Sequence, residues 1–454
     1  MPLFVPRLPY QPFNDQGGAS GGVTQAPVDV ADLFTTAARQ VLPAVAKKNQ
    51  SFSFDYRGPL PLVSGNEVQM QCALHRLLWG VVDTLDMGFV LFSAEVQQTE
   101  DGRCRISTTV AGTGRLTETE RVTGVLQRLE LAEVPLQGER PCGHRKATGV
   151  CPNTGARIDF SCMPQDGVLF RAELFCELSK PCSQVKADAQ AERAWLVGPD
   201  DVANQALTRR LQRLGWAMSR FDTCSQAVAA LKRADEPGSR PALVILNESA
   251  AEPPSAAQHL RAGLPPTTRL VLSVLPGSPM LRTPQSVDGY EVKLQPFSPA
   301  ELMSFTLHRA VSQQPPSGDT HPAPLAWEDR PLVLIVDDNE VNLVVAGGLL
   351  EALGYEVRMA RDGAEAVAQC LYVTPRAVLM DVDMPVLNGI DATRRLRELQ
   401  RTGKVPPFAI VGATAGGVIA SAEECLQAGM DGYLTKPLHM RQLQQELRRI
   451  ATLR

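Results

Sequence analysis

The sequence predicts an α/β protein in which two doubly wound, five-stranded parallel (βα)5 domains follow a further α/β unit. Three observations predict this. Short apolar runs alternate with helical patterns, the pattern occurs twice at one spacing, and polar groups cluster at strand ends in the second copy.

In the last segment Leu332 to Val336 reads as a buried strand and Val341 to Ala352 as an amphipathic helix ended by Gly354. Ala377 to Met380 and Phe408 to Val411 read as further strands, with helices at Gly363 to Leu371, Gly389 to Gln400, Val418 to Ala428 and Met440 to Thr452. Such alternation gives a parallel sheet with helices on both faces, and ligands then bind beyond the carboxyl ends of the strands. The middle segment repeats the pattern. Asp337 lies sixteen positions before the Leu353 of a Leu-Gly-Tyr, and Gly198 lies sixteen before the Leu214 of a Leu-Gly-Trp. Ala242 to Leu246 then corresponds to the strand at Ala377, and Arg269 to Leu272 to the one after it.

With 454 residues the chain has room for about three domains. The expected division is a disordered start at 1–27, a first domain at 28–182, a second at 190–312, a Pro-rich linker at 313–330 and a third domain at 331–454. A net charge of −4 without a basic stripe argues against nucleic acid as a partner. The run from Leu77 to Phe92 is broken by Asp83 and Asp86, so no membrane span is expected there. MPLFVPRLPY lacks the layout of a signal peptide, and ten scattered cysteines fit reduced thiols, so the expected location is cytoplasmic. Cys142, His144, Cys151 and Cys162 lack paired C-x-x-C knuckles and read as ordinary thiols rather than a zinc site.

The candidate site lies in the third domain. Asp337 and Asp338 follow the first strand, Asp381 ends the third, Thr414 follows the fourth and Lys436 precedes Pro437 after the fifth. A single acidic residue at a loop end is ordinarily a solvated carboxylate, but five polar residues at successive strand ends form one rim. Three carboxylates held together repel unless a hard divalent cation relieves them, and Mg²⁺ suits such oxygen ligands. Asp381 as nucleophile, with Lys436 and Thr414 cancelling charge on the equatorial oxygens, is a set suited to phosphoryl transfer.

The segments VDDNEVN, LMDVDMPVLNG, ATA and DGYLTKP resemble the signatures of response-regulator receiver domains. The resemblance implies that Asp381 is the phosphoacceptor and that Mg²⁺ is held by Asp381, by Asp338 directly, by Asp337 through water and by the backbone carbonyl of Asp383. It implies further that Lys436 pairs with a phosphoryl oxygen and that Thr414 moves toward it as Tyr433 swings inward. The donor would be a histidine kinase or histidine phosphotransfer protein, and the output a downstream protein partner. A homodimer is compatible with this reading.

The middle copy carries Gly198 and Pro199 in place of the acidic pair, Asn247 in place of the acceptor and Gln295 in place of the lysine. It therefore reads as a pseudo-receiver, a packing module in the first instance, with docking of a partner or a nucleotide second messenger as the alternative. Residues 28–180 resemble the ATP-binding α/β sandwich of histidine kinases, in degenerate form. The family's two asparagines are replaced by Arg76 and Gly80, and its adenine-reading aspartate by Val110, ahead of Gly112 and Gly114. No histidine has the neighbours of a phosphorylated one. The sequence thus resembles the back end of a hybrid histidine kinase that has lost its ATP chemistry, a phosphorelay switch rather than an enzyme in its own right. The rival is an active hybrid histidine kinase that binds ATP, and a third reading is a scaffold that serves as a phosphate sink.

Overall fold

The structure, a computed structural model, describes residues 27–86, 88–114, 119–133, 144–152, 154–163, 166–180, 188–233, 240–250, 255–282, 289–307, 330–415 and 419–452. The linker expected at 313–330 lies outside these apart from Arg330, as do Cys142 and residues 1–26 of the expected disordered start. Pro27 belongs to a strand, not to that start: it pairs with Ser64.

The first unit comprises β1 (Pro27–Asp29), α1 (Val30–Lys47), β2 (Ser51–Arg57), β3 (Leu62–Ser64), α2 (Glu67–Thr84), β4 (Phe89–Gln98), β5 (Arg103–Thr113), α3 (Thr119–Arg128), β6 (Ala132–Glu133), β7 (Arg145–Val150), β8 (Arg157–Met163) and β9 (Gly167–Glu177). Asp29 caps α1 by accepting from the Asp32 amide, and Asn66 caps α2 by accepting from that of Gln69, so each helix begins where an exposed donor is satisfied. β1 and β3 form a separate ribbon, while the other strands make a mixed sheet of order β2-β4-β5-β9-β8-β7-β6. One face of that sheet packs on α1, α2 and α3 through a core that includes Phe34, Phe92, Leu78, Val125 and Phe170.

The middle unit is β10 (Arg193–Val197), α4 (Val202–Arg213), β11 (Ala217–Phe221), α5 (Cys224–Arg233), β12 (Leu243–Asn247), α6 (Ser255–Gly263), β13 (Arg269–Val274), β14 (Glu291–Leu294) and α7 (Pro299–Leu307). The last is β15 (Leu332–Val336), α8 (Glu340–Ala352), β16 (Glu356–Ala360), α9 (Gly363–Cys370), β17 (Ala377–Asp381), α10 (Gly389–Arg401), β18 (Ala409–Ala415), α11 (Ile419–Gln427), β19 (Gly432–Lys436) and α12 (Met440–Thr452). Each unit has a five-stranded parallel sheet with its second strand at one edge, then the first, third, fourth and fifth. Alternate side chains of each strand face opposite helix layers. Val333 and Ile335 join the layer of α8 and α12, and Leu334 and Val336 that of α9, α10 and α11.

Three further expectations from the sequence need correction. Ala189 is buried in the middle core and its amide donates to Leu214 O at 2.8 Å, so that unit begins before 190. Thr414 and Lys436 lie within the last two residues of β18 and β19 rather than beyond them. The helix expected to be amphipathic, α8, is apolar and buried on nearly all sides, including Val341, Leu343, Val345, Ala346, Leu349 and Leu350. The reason is tertiary: its second face packs against Phe89, Leu91, Ala111 and Leu169, on the sheet face of the first unit that α1 to α3 leave uncovered. Gly348 permits this approach, since a Cβ there would stand 2.9 Å from Leu91 Cδ2. The equivalent helix α4 of the middle unit docks beside it, where Arg213 and Asp55 form a salt bridge and the Arg210 guanidinium lies 5.3 Å over the Phe54 ring.

Candidate functional site

The carboxyl ends of β15, β17 and β19 bring Asp337, Asp338, Asp381 and Lys436 together. One carboxylate oxygen from each aspartate lies within 4.8 Å of the others. Lys436 Nζ sits 2.7 Å from Asp337 Oδ2 and 2.8 Å from Asp381 Oδ2. Asp337 Oδ1 also accepts from the Asn339 amide at 2.9 Å and from Asn342 Nδ2 at 3.2 Å. Asp337 and Asp381 are buried, whereas Asp338 and Asp383 are exposed on the loops above. Gly389 closes the loop after β17: a Cβ there would meet the Asp381 carbonyl oxygen at 2.0 Å, so no side chain fits. Thr414 is buried, with its hydroxyl 3.5 Å from Leu434 O, and the Tyr433 ring is exposed.

Three carboxylates share one ammonium, and the electrostatics follow from that imbalance. Burial pushes Asp381 up, Lys436 draws it down, and Asp337 and Asp338 push it up again, leaving it at about 7. Burial raises Asp337 despite Lys436, and burial with the neighbouring Asp337 raises Asp338. Lys436 moves upward because Asp337 and Asp381 outweigh the cost of its burial. With all three carboxylates ionised, the rim would carry two negative charges more than its lysine cancels, and the upward shifts express that repulsion. Hard oxygen donors with that surplus fit a divalent cation such as Mg²⁺.

Two residues of the first unit reach this rim that sequence reasoning missed. Asp166 accepts from Asn339 Nδ2 at 2.7 Å, and Arg171 pairs with Glu340. Their one sequence signal is indirect: two adjacent glycines, Gly347 and Gly348, inside a helix cost stability unless something approaches closely.

The corresponding rim of the middle unit is closed by neutral groups. Asn247 Nδ2 donates to Asn204 Oδ1 at 3.2 Å, and a Cβ on Gly198 would lie 2.7 Å from that of Asn247. In the first unit, Arg76 is exposed on α2, while Gly80 admits α3 so closely that a Cβ would stand 2.9 Å from Val125 Cγ1. Val110 is fully buried in the core, and a Cβ on Gly112 would lie 2.3 Å from Leu85 Cδ1. Packing occupies the positions of Gly80, Val110 and Gly112.

A parallel sheet in this order, with acidic groups and a lysine at its carboxyl rim, defines the class of doubly wound signalling domains that bind ligands at the strand ends. Residues 333–448 match the response regulator receiver domain family, and the C-terminal unit is a receiver domain. Over most of its length the chain is similar to the GacS sensor proteins, one of them described as a sensor histidine kinase. It is 26% identical to the sensor protein GacS of Pseudomonas syringae pv. syringae over 440 residues, 92% of this chain and 47% of that protein. It is 34% identical to histidine kinase 3 of Arabidopsis thaliana over 178 residues, 33% of this chain and 17% of that one. The chain therefore spans about half the length of the GacS proteins it matches, 47% and 46%. Among solved structures, full-length ShkA in complex with AMPPNP covers 95% of this chain and 86% of its own at 22% identity and a TM-score of 0.39. The receiver domain of sensor histidine kinase PA1611 from Pseudomonas aeruginosa PAO1, solved with a magnesium ion in its active site cleft, covers 27% of this chain and 98% of its own at 39% identity and a TM-score of 0.25. Among the described residues no helix is long and apolar enough to cross a membrane.

Proposed function

We propose that the chain is a phosphorelay protein whose receiver takes a phosphoryl group on Asp381 from the phosphohistidine of a partner kinase or histidine phosphotransfer protein. The observation that carries this is the set of three carboxylates within 4.8 Å around a single lysine. An Asp381 carboxylate oxygen attacks phosphorus in line, the new P–O bond forms as the P–N bond to the donor imidazole breaks, and the imidazole leaves with the electron pair. Lys436 exchanges its bond to Asp381 for a phosphoryl oxygen, and the Thr414 hydroxyl donates to a second. Tyr433, exposed before transfer, turns inward behind Thr414 and alters the surface that a downstream protein partner reads. Mg²⁺, when held by Asp337, Asp338, Asp381 and the Asp383 carbonyl, supplies cancellation of the remaining charge on the phosphoryl oxygens.

The middle unit serves as a pseudo-receiver and the first as a pseudokinase domain in a cytoplasmic protein. Specific ATP binding is not expected where Arg76, Gly80 and Val110 replace the polar groups that would read nucleotide and metal. Incubation with Mg²⁺ and acetyl phosphate, or a cognate phosphohistidine protein, tests the reading. It should label the chain once, at Asp381, and calorimetry with Mg²⁺ and ATP should show no saturable heat at micromolar concentration. Labelling elsewhere, or tight one-to-one ATP binding, would overturn it in favour of a working hybrid kinase.

A further inference from the structure

The loop that carries Asp337 and Asp338 continues into Asn339 and Glu340, and the first unit holds both of these. Asp166 Oδ2 accepts from Asn339 Nδ2 at 2.7 Å, and Arg171 pairs with Glu340. Asn339 is buried, caps α8 by accepting from the Val341 amide at 2.9 Å, and donates its own amide to Asp337 Oδ1 at 2.9 Å. One residue thus joins Asp166 to the rim: its side chain meets the first unit and its backbone meets Asp337.

Asp166 is fixed in that place. It stands directly before β9, where its amide donates to Met163 O at 3.2 Å and its carbonyl accepts from the Gly114 amide at 3.3 Å. A Cβ on Gly167, the next residue, would stand 1.9 Å from Gly112 O, so the chain here lies tight on the end of β5. Thr113, between those two glycines of β5 and its exit, lines a small cavity with Asp337, Asn342 and Lys436. Two neighbouring strand ends of the first unit therefore converge on the rim. Asp166 is near enough to Asp338 that its negative charge adds to the burial and the Asp337 charge that raise that carboxyl.

We propose that Asp166 is an outer acidic member of the receiver's cation site, a carboxylate supplied by the first unit that raises the affinity of the rim for Mg²⁺ without being one of its ligands. The inference rests on the reading of the rim as a Mg²⁺ site. A negative charge one residue removed from the ligands attracts a dication through space. By holding the Asn339 side chain it also fixes the loop on which Asp337 and Asp338 stand, as outer partners of metal ligands do. The first unit then has a part in the receiver's chemistry that is independent of nucleotide.

The test is a calorimetric titration of the unphosphorylated full chain with Mg²⁺ at low salt. Asp166→Asn keeps an oxygen that can accept from Asn339 and removes the charge, and it should weaken Mg²⁺ binding about fivefold. Asp166→Glu should retain more of the affinity. Raising the salt should narrow the gap between Asp166→Asn and the unsubstituted chain, since screening acts on charge and not on shape. Arg171→Gln breaks the neighbouring contact with Glu340 but leaves the Asp166 charge in place, so it should not weaken Mg²⁺ binding. If Asp166→Asn lowers the unfolding midpoint without cation, Asp166→Ser takes its place with the same expected loss. Equal Mg²⁺ affinity with and without the Asp166 carboxylate overturns the inference and leaves the reading of the rim standing. Equal weakening by Arg171→Gln, or a gap indifferent to salt, overturns the role of the charge in favour of docking alone. Absence of Mg²⁺ binding by the unsubstituted chain overturns the reading of the rim, and the inference falls with it.

Discussion

The two parallel-sheet units share a strand order, and each sets its first helix on the same sheet of the first unit, yet they differ at the rim where β10 and β15 end. In the middle unit Asn247 and Asn204 satisfy each other and Gly198 packs flush against them. In the receiver three aspartates crowd around Lys436. The neutral rim needs nothing further, whereas the charged rim keeps carboxylates under mutual repulsion. The fold tolerates either, so it does not dictate the charge. A charged rim costs stability, a cost that fits the phosphoryl transfer proposed for it.

The comparison breaks first at the acceptor. Asp381→Asn should abolish phosphorylation by acetyl phosphate, and Asn247→Asp should not confer it on the middle unit, where Gly198 and Pro199 leave no second carboxylate. Phosphate gel shifts or mass spectrometry on both variants decide this. Labelling of Asn247→Asp would mean that the acceptor alone makes the site.

A smaller contrast concerns the residue before the proline after the last strand. Lys436→Ala leaves buried carboxylates without their cation and should cost about 3 kcal/mol in urea unfolding without Mg²⁺. Gln295→Ala, at the matching place in the middle unit, should cost about 1 kcal/mol or less. Equal losses would show that the lysine is a packing residue.

Acid sharpens the comparison of the docked helices. Burial alone would raise the Asp55 carboxyl, but Arg213, with Arg57 and Arg210, holds it at about 2. A carboxyl depressed in the folded state gives stability that is present above its unfolded value near 4 and is lost as pH falls toward 2. The loss should be about 2 kcal/mol, absent in Asp55→Asn, and readable as the pH dependence of the unfolding midpoint.

Smallest is the loop after β17. Val386 is β-branched at φ 69°, left-handed backbone that favours glycine. Val386→Gly should stabilise the receiver by about 1 kcal/mol, measured by thermal unfolding, or slightly less after the entropy cost of glycine. The middle unit has no such residue among its described loops after β12.

Most of the two repeats was legible because fully buried parallel strands appear as unbroken apolar runs, as at Leu332 to Val336 and Ala377 to Met380. The rim was legible because each polar group closes such a run. What escaped was long-range. Nothing local in Asp166 or Arg171 announces that they meet Asn339 and Glu340, and α8 has a pattern that reads as one-sided until a second unit covers its other face. Gly347 and Gly348 were the visible anomaly. Pro27 and Ala189 were misplaced because short edge segments carry too few apolar residues to register.

Asp55 links Arg213 of α4 to Arg57, and Arg57 links onward to Glu351 of α8, so one carboxylate stands between the helices of both repeats. Replacements at Arg213 and at Glu351 will therefore not sum independently. Each release changes how Asp55 and Arg57 are shared, and the second substitution acts on a site that the first has already altered. In evolutionary terms this is epistasis: a residue accepted on one helix determines which residues can follow on the other. Substitutions at the two rims stand outside this coupling, whereas those along the helices that face the common sheet act through it.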